Sequence, residues 1–88
     1  MHQYQPLLQR FLPERIKSHR SSLHVTQEIM SERLRISTRS YCDLECGKYA
    51  CSAATLMFFL LTLPNDDILQ LCTDFRALVE QEDSHVVA

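Results

Sequence analysis

At 88 residues, 45% of them apolar and 23% charged, the chain has the composition of a folded globular domain and room for one core, but not for a second domain of ordinary size. Its net charge of −2 is unevenly divided: residues 1 to 48 carry eight Lys or Arg against five acids, net +3, whereas residues 49 to 88 carry Arg76 against six acids, net −5. The longest nearly apolar run, Ala53 to Leu63 with Thr55 and Thr62 inside it, is far short of the ~20 residues of a membrane span, and the start lacks a signal-peptide pattern, so no membrane role and a cytoplasmic protein with reduced thiols are expected.

Residues 1–6 read as a flexible end, followed by Leu7, Leu8 and Phe11 as a short helical turn closing over the core. Pro13 disfavours helical geometry at Leu12, so the first helix of the domain is expected to start afresh there and to run to about Ser22, with Glu14 in its first turn and Ile16 inward. His19, three residues after Ile16, reads as a partly buried core histidine. Val25 to Leu34 gives a second short helix, capped by Thr26, that packs through Met30 and Leu34.

Only Arg35 and Ile36 separate that helix from the next N-cap, Ser37. The third helix, residues 37–46, stops at Gly47, the single glycine, whose freedom suits a left-handed helix end. Tyr41 and Leu44 share its packing face, while Thr38, Arg39, Cys42 and Asp43 point outward. Ser52 caps a fourth helix over Ala53 to about Leu63 with a core stripe of Leu56, Phe59 and Leu60. Met57, Phe58 and Leu61 make that helix apolar nearly all round, which implies burial on two sides. After Pro64, Asn65 caps a last helix through Ile68, Leu71, Cys72, Phe75, Leu78 and Val79 to about Gln81, leaving residues 82–88 as a second flexible end. Its apolar stripe either covers the core or leaves a strip for a second copy.

The four cysteines, at 42, 46, 51 and 72, form no Cys-x-x-Cys pair and have no finger-like spacing to a histidine, so thiols behaving as small hydrophobes are expected; a soft-metal or redox role for Cys42 and Cys46 is the alternative. Neither a phosphate-binding glycine loop, a nucleophile elbow nor a zinc-hydrolase helix occurs. No enzyme and no cofactor are expected.

Two short helices joined by so tight a turn match the helix-turn-helix unit. The run from Arg20 to Leu56, R-(x)4-V-T-Q-(x)2-M-(x)3-L-x-I-S-(x)3-Y-(x)2-L-E-x-G-K-(x)3-S-(x)2-T-L, resembles the lambda-repressor/Cro (XRE-type) DNA-binding domain. The resemblance implies an all-α, five-helix domain over residues 7–81. It also implies a homodimeric, sequence-specific binder of double-stranded DNA, acting as a transcriptional repressor with helix 37–46 in the major groove. The more positive half of the chain carries the helix pair, as phosphate contact requires.

By the same resemblance, Arg20 pairs with Glu45 behind the DNA-facing side, Gln27 bonds a phosphate from the start of the motif's first helix, and Ser31 stands where a small residue lets the helices approach. Thr38, Arg39 and Asp43 match positions that meet base edges, Ser40 a position near the phosphates, Ser37 counts with them among the DNA-binding residues, and Lys48 contacts a phosphate or is simply solvated. Asp43 either accepts from a cytosine amino group or, the preferred reading, orients Arg39 one turn earlier. His24 and Arg35 replace glycines frequent in the family, so left-handed or otherwise strained backbone is expected at both. The rival reading from another class is an antitoxin-like protein-interaction module that uses the acidic half.

Overall fold

The computed structural model describes the backbone of residues 4–87 and the side chains of residues 4–84. Among them are five α-helices and no strand: α1 Tyr4–Leu23, α2 Gln27–Leu34, α3 Thr38–Glu45, α4 Ala53–Leu61 and α5 Asn65–Val87. The protein is all-α. Three of the four expected N-caps accept a hydrogen bond from the amide three residues on: Thr26 from Ile29 at 3.1 Å, Ser37 from Ser40 at 3.0 Å and Ser52 from Thr55 at 3.1 Å; Asn65 instead lies inside α5, where the Asp67 and Ile68 amides bond the Pro64 carbonyl.

Three helices end in a left-handed residue, and only one of these is glycine. Gly47 (φ 76°) closes α3 with the Gly47 amide on the Leu44 carbonyl and the Lys48 amide on the Asp43 carbonyl, both at 3.0 Å. Arg35 (φ 59°) closes α2 with the same pair of bonds, from Arg35 to Glu32 and from Ile36 to Ser31. His24 (φ 57°) closes α1 likewise, from its own amide to Ser21 and from Val25 to Arg20. This double bond satisfies carbonyls that a helix end leaves open, and at His24 and Arg35 it holds against ~1–2 kcal/mol of steric cost.

The first helix departs from expectation. It does not begin at Pro13 but runs through it as one helix from Tyr4, with Pro13 buried. Proline removes one helical bond and costs roughly 3 kcal/mol inside a helix. Here tertiary contacts on both sides of it prevail. α1 and α5 lie antiparallel along most of their length, joined from Tyr4 to Asp83, Phe11 to Phe75 (ring centroids 5.3 Å) and Arg15 to Asp74. Before the proline, the Gln9 amide also donates to the Gly47 carbonyl at 3.1 Å. Residues 4–6 and 82–87, expected as loose ends, are turns of these helices; residues 1–3 and 88 lie outside the described residues.

Leu12 and Ile16 of α1, Met30 and Leu34 of α2, Tyr41 and Leu44 of α3, Phe59 of α4 and Leu71 of α5 make the core. Ser31 is 2% exposed where α2 meets α3, and its hydroxyl bonds the Glu28 carbonyl at 2.6 Å. The small residue keeps its polar atom satisfied where a larger one would push the helices apart. α4 is not buried on two sides. Thr55 and Phe59 face inward, Leu56, Phe58 and Leu60 are half-buried, and Met57 and Leu61 remain exposed because no described element covers that side.

Candidate nucleic-acid interface

α3 is built with two unlike faces. Tyr41 and Leu44 anchor it in the core, and the positions between them turn Thr38 and Arg39 fully, and Cys42 and Asp43 partly, to the surface. Behind it, Arg20 reaches from α1 and grips Glu45 with two parallel bonds, Nε to Oε2 at 2.8 Å and Nη2 to Oε1 at 3.0 Å; its Nη1 donates to the Val25 carbonyl at 3.1 Å. The Glu45 side chain is 5% exposed and that of Arg20 19%. Burial pushes the Glu45 carboxyl up, but the hydrogen bonds from Arg20 and Gln27 and the Arg20 charge outweigh it and hold the group below the usual carboxylate value.

Gln27 belongs to this assembly. Its Nε2 donates to Glu45 Oε1 at 3.1 Å, and its Oε1 accepts from Cys42 Sγ at 3.2 Å, so one side chain at the start of α2 holds two residues of α3. Both ends of the amide are therefore engaged within the protein. Tyr41 Oη is buried beside the pair without a partner in hydrogen-bonding geometry, and desolvation, with Glu45 nearby, raises the phenol pKa well above its ordinary value.

On the outer side, Ser37 Oγ accepts the Ser40 amide and donates to Ser40 Oγ at 3.0 Å. Thr38 Oγ1 lies 3.4 Å from Ser31 Oγ. Arg39 is exposed and joins no hydrogen bond or ion pair with a described residue. Asp43 does not orient Arg39. It meets Lys48 Nζ at 3.4 Å, because the left-handed turn at Gly47 folds Lys48 back over the last turn of α3. The Lys48 side chain is 67% exposed, so this pairing is loose. Tyr49, which sequence reasoning passed over, donates from Oη to the Ser40 carbonyl and ties the following loop to the middle of α3. An aromatic residue two positions past the glycine was the available signal.

No protein-family model, curated protein or solved structure matches this chain.

The described residues contain no group of three or more metal-ligating side chains, and the four cysteines are free thiols. No described helix is long and apolar enough to cross a membrane. The arrangement offers instead a convex, polar helix face, rigidly backed by the Arg20–Glu45–Gln27 cluster and bearing an unengaged guanidinium.

Proposed function

We propose that this chain is a five-helix DNA-binding domain of the lambda-repressor type. In this reading it is a sequence-specific transcriptional regulator, acting as a repressor, that inserts α3 into the major groove of duplex DNA while α2 crosses the backbone. The observation that carries the reading is the exposed, unpartnered Arg39 on a helix whose opposite face is locked by a two-bond ion pair and a shared glutamine. A guanidinium free of internal partners can give two parallel bonds to guanine, worth ~1–3 kcal/mol of discrimination, and a rigid support keeps that gain from being lost to disorder. Thr38 and Asp43 flank it for base contact. Ser37, Ser40, Gln27 and Lys48 border it for phosphate contact, Gln27 and Lys48 exchanging internal partners for DNA on binding. Two copies on half-sites about 34 Å apart would supply affinity that one small domain lacks.

Selection from a randomised duplex library near physiological salt, with Arg39→Ala alongside, tests the reading. Enrichment of a two-fold symmetric site that the variant loses supports it, and a folded protein that enriches nothing refutes it. The rival reading, a protein-interaction module, draws on the net charge of −5 over residues 49 to 88. The ligand separates the two: the first reading requires affinity for duplex DNA that falls steeply as salt rises, whereas the rival requires a protein partner and no enrichment of duplex.

A further inference from the structure

Away from α3, the second half of α1 meets the end of α4 and the start of α5 around a cleft of about 240 Å³. Phe59, Leu63 and Leu71 give the cleft apolar walls, while Ser18 and His19 of α1 and Asp67 of α5 bring polar side chains to it. Its volume is below the ~300–1,000 Å³ of sites for drug-sized ligands, so it suits a smaller molecule. Two other polar side chains along it are already engaged: the Ser22 hydroxyl donates to the His19 carbonyl at 2.7 Å, and the Gln70 amide to Asp74 at 2.8 Å. Three are not. His19 Nε2 is buried without a hydrogen-bond partner, and neither the Ser18 hydroxyl nor the Asp67 carboxylate joins a hydrogen bond or ion pair with a described residue.

What these three groups can do in common decides the ligand. Burial lowers the His19 pKa from 6.5, against the pull of Asp67 and with a smaller push from Arg33, so near neutrality the ring is uncharged. A neutral imidazole with its proton on Nδ1 accepts at Nε2, and the hydroxyl and the carboxylate accept as well. The other charged side chain lining the cleft, Arg15, is held by Asp74, which leaves Asp67 as the lining charge without an ion-pair partner among the described residues. A primary ammonium carries one positive charge and three N–H donors. That complement matches one free carboxylate among three acceptors, and bonds to charged groups are the stronger kind.

We propose that this cleft is a binding site for a small primary amine with a short apolar tail, the ammonium held by Asp67, Ser18 and His19 and the tail packed on Phe59, Leu63 and Leu71. The site shares no residue with the α3 face and its test uses no DNA, so it stands or falls apart from the function proposed above. Titration of the full chain with phenethylammonium, followed by proton–nitrogen NMR at neutral pH, should give saturable shifts centred on Ser18, His19 and Asp67, with a Kd of about 1 mM or tighter. Phenylethanol has the same tail without the charge and should bind at least about tenfold more weakly. Asp67→Asn should weaken phenethylammonium binding by a similar factor and, because Asp67 is exposed, leave helical circular dichroism unchanged. A titration without saturable shifts, which would assign His19 Nε2 to water, overturns the proposal. So does equal affinity for the alcohol, or an Asp67→Asn variant that binds the amine as tightly as wild type.

Discussion

Replacing Arg20 by alanine strands Glu45. The carboxylate is left with 5% of its side chain exposed, loses two charge-assisted bonds and retains one from Gln27, while the Val25 carbonyl loses its donor from Arg20. Breaking a buried pair costs ~3–5 kcal/mol, and because Arg20 itself is partly solvated the lower end applies, about 3 kcal/mol. At ~2 cal/mol/K per residue of unfolding entropy, that lowers the melting temperature of a domain this size by roughly 15 °C. The loss depends on pH in a definite direction. In the wild type the folded Glu45 pKa lies below its ordinary value of 4.5, so the pair's contribution is present above that value and fades as pH falls through the folded pKa. In the variant, acid removes the stranded charge. The gap between the two proteins should therefore be widest near neutrality and narrow below pH 4.5. Urea melts followed by circular dichroism at several pH values measure it; a variant as stable as wild type at pH 7, or a gap that does not narrow in acid, refutes a buried pair.

His24→Gly should stabilise the protein by about 0.5–1 kcal/mol in thermal melts, since the left-handed strain at φ 57° exceeds the added freedom of the unfolded chain. Arg35→Gly should gain less, because the Arg35 guanidinium sits 4.4 Å from the Phe58 ring centroid and would be lost. His19 packs edge-on to Phe59 at 5.8 Å, and burial lowers its pKa from 6.5. A base with a depressed folded pKa binds fewer protons folded than unfolded, so stability should fall as pH drops below 6.5; His19→Leu should flatten that slope, and an unchanged slope would exclude His19 as its source. For DNA binding, Lys48→Ala should reduce the slope of log affinity against log salt by about 0.9, one phosphate's worth, with little change in the preferred site.

Much of this architecture is decided within single turns of chain. Thr26, Ser37 and Ser52 cap the helices because each hydroxyl needs only the amide three residues on, and Gly47 ends α3 because its own backbone permits the bonds that close it. The left-handed positions at His24 and Arg35 were anticipated only through the family resemblance, since neither residue by itself signals such backbone. The two faces of α3 follow from periodicity, which is why Tyr41 and Leu44 could be assigned inward and Arg39 outward. Other features depended on partners distant in the chain. Pro13 signals a helix start locally, yet contacts with α5 some sixty residues away outweigh that bias and carry α1 through it. Asp43 could reach Arg39 by helical spacing, but the turn at Gly47 brought Lys48 to it, and Gln27 found its partners on a different helix. α4 reads as apolar on every side, and only the number of helices packed around it determined that Met57 and Leu61 would face out. Capping and periodicity are interactions of neighbours and so can be read from a short window. Burial and pairing are sums over elements that only the assembled fold brings together.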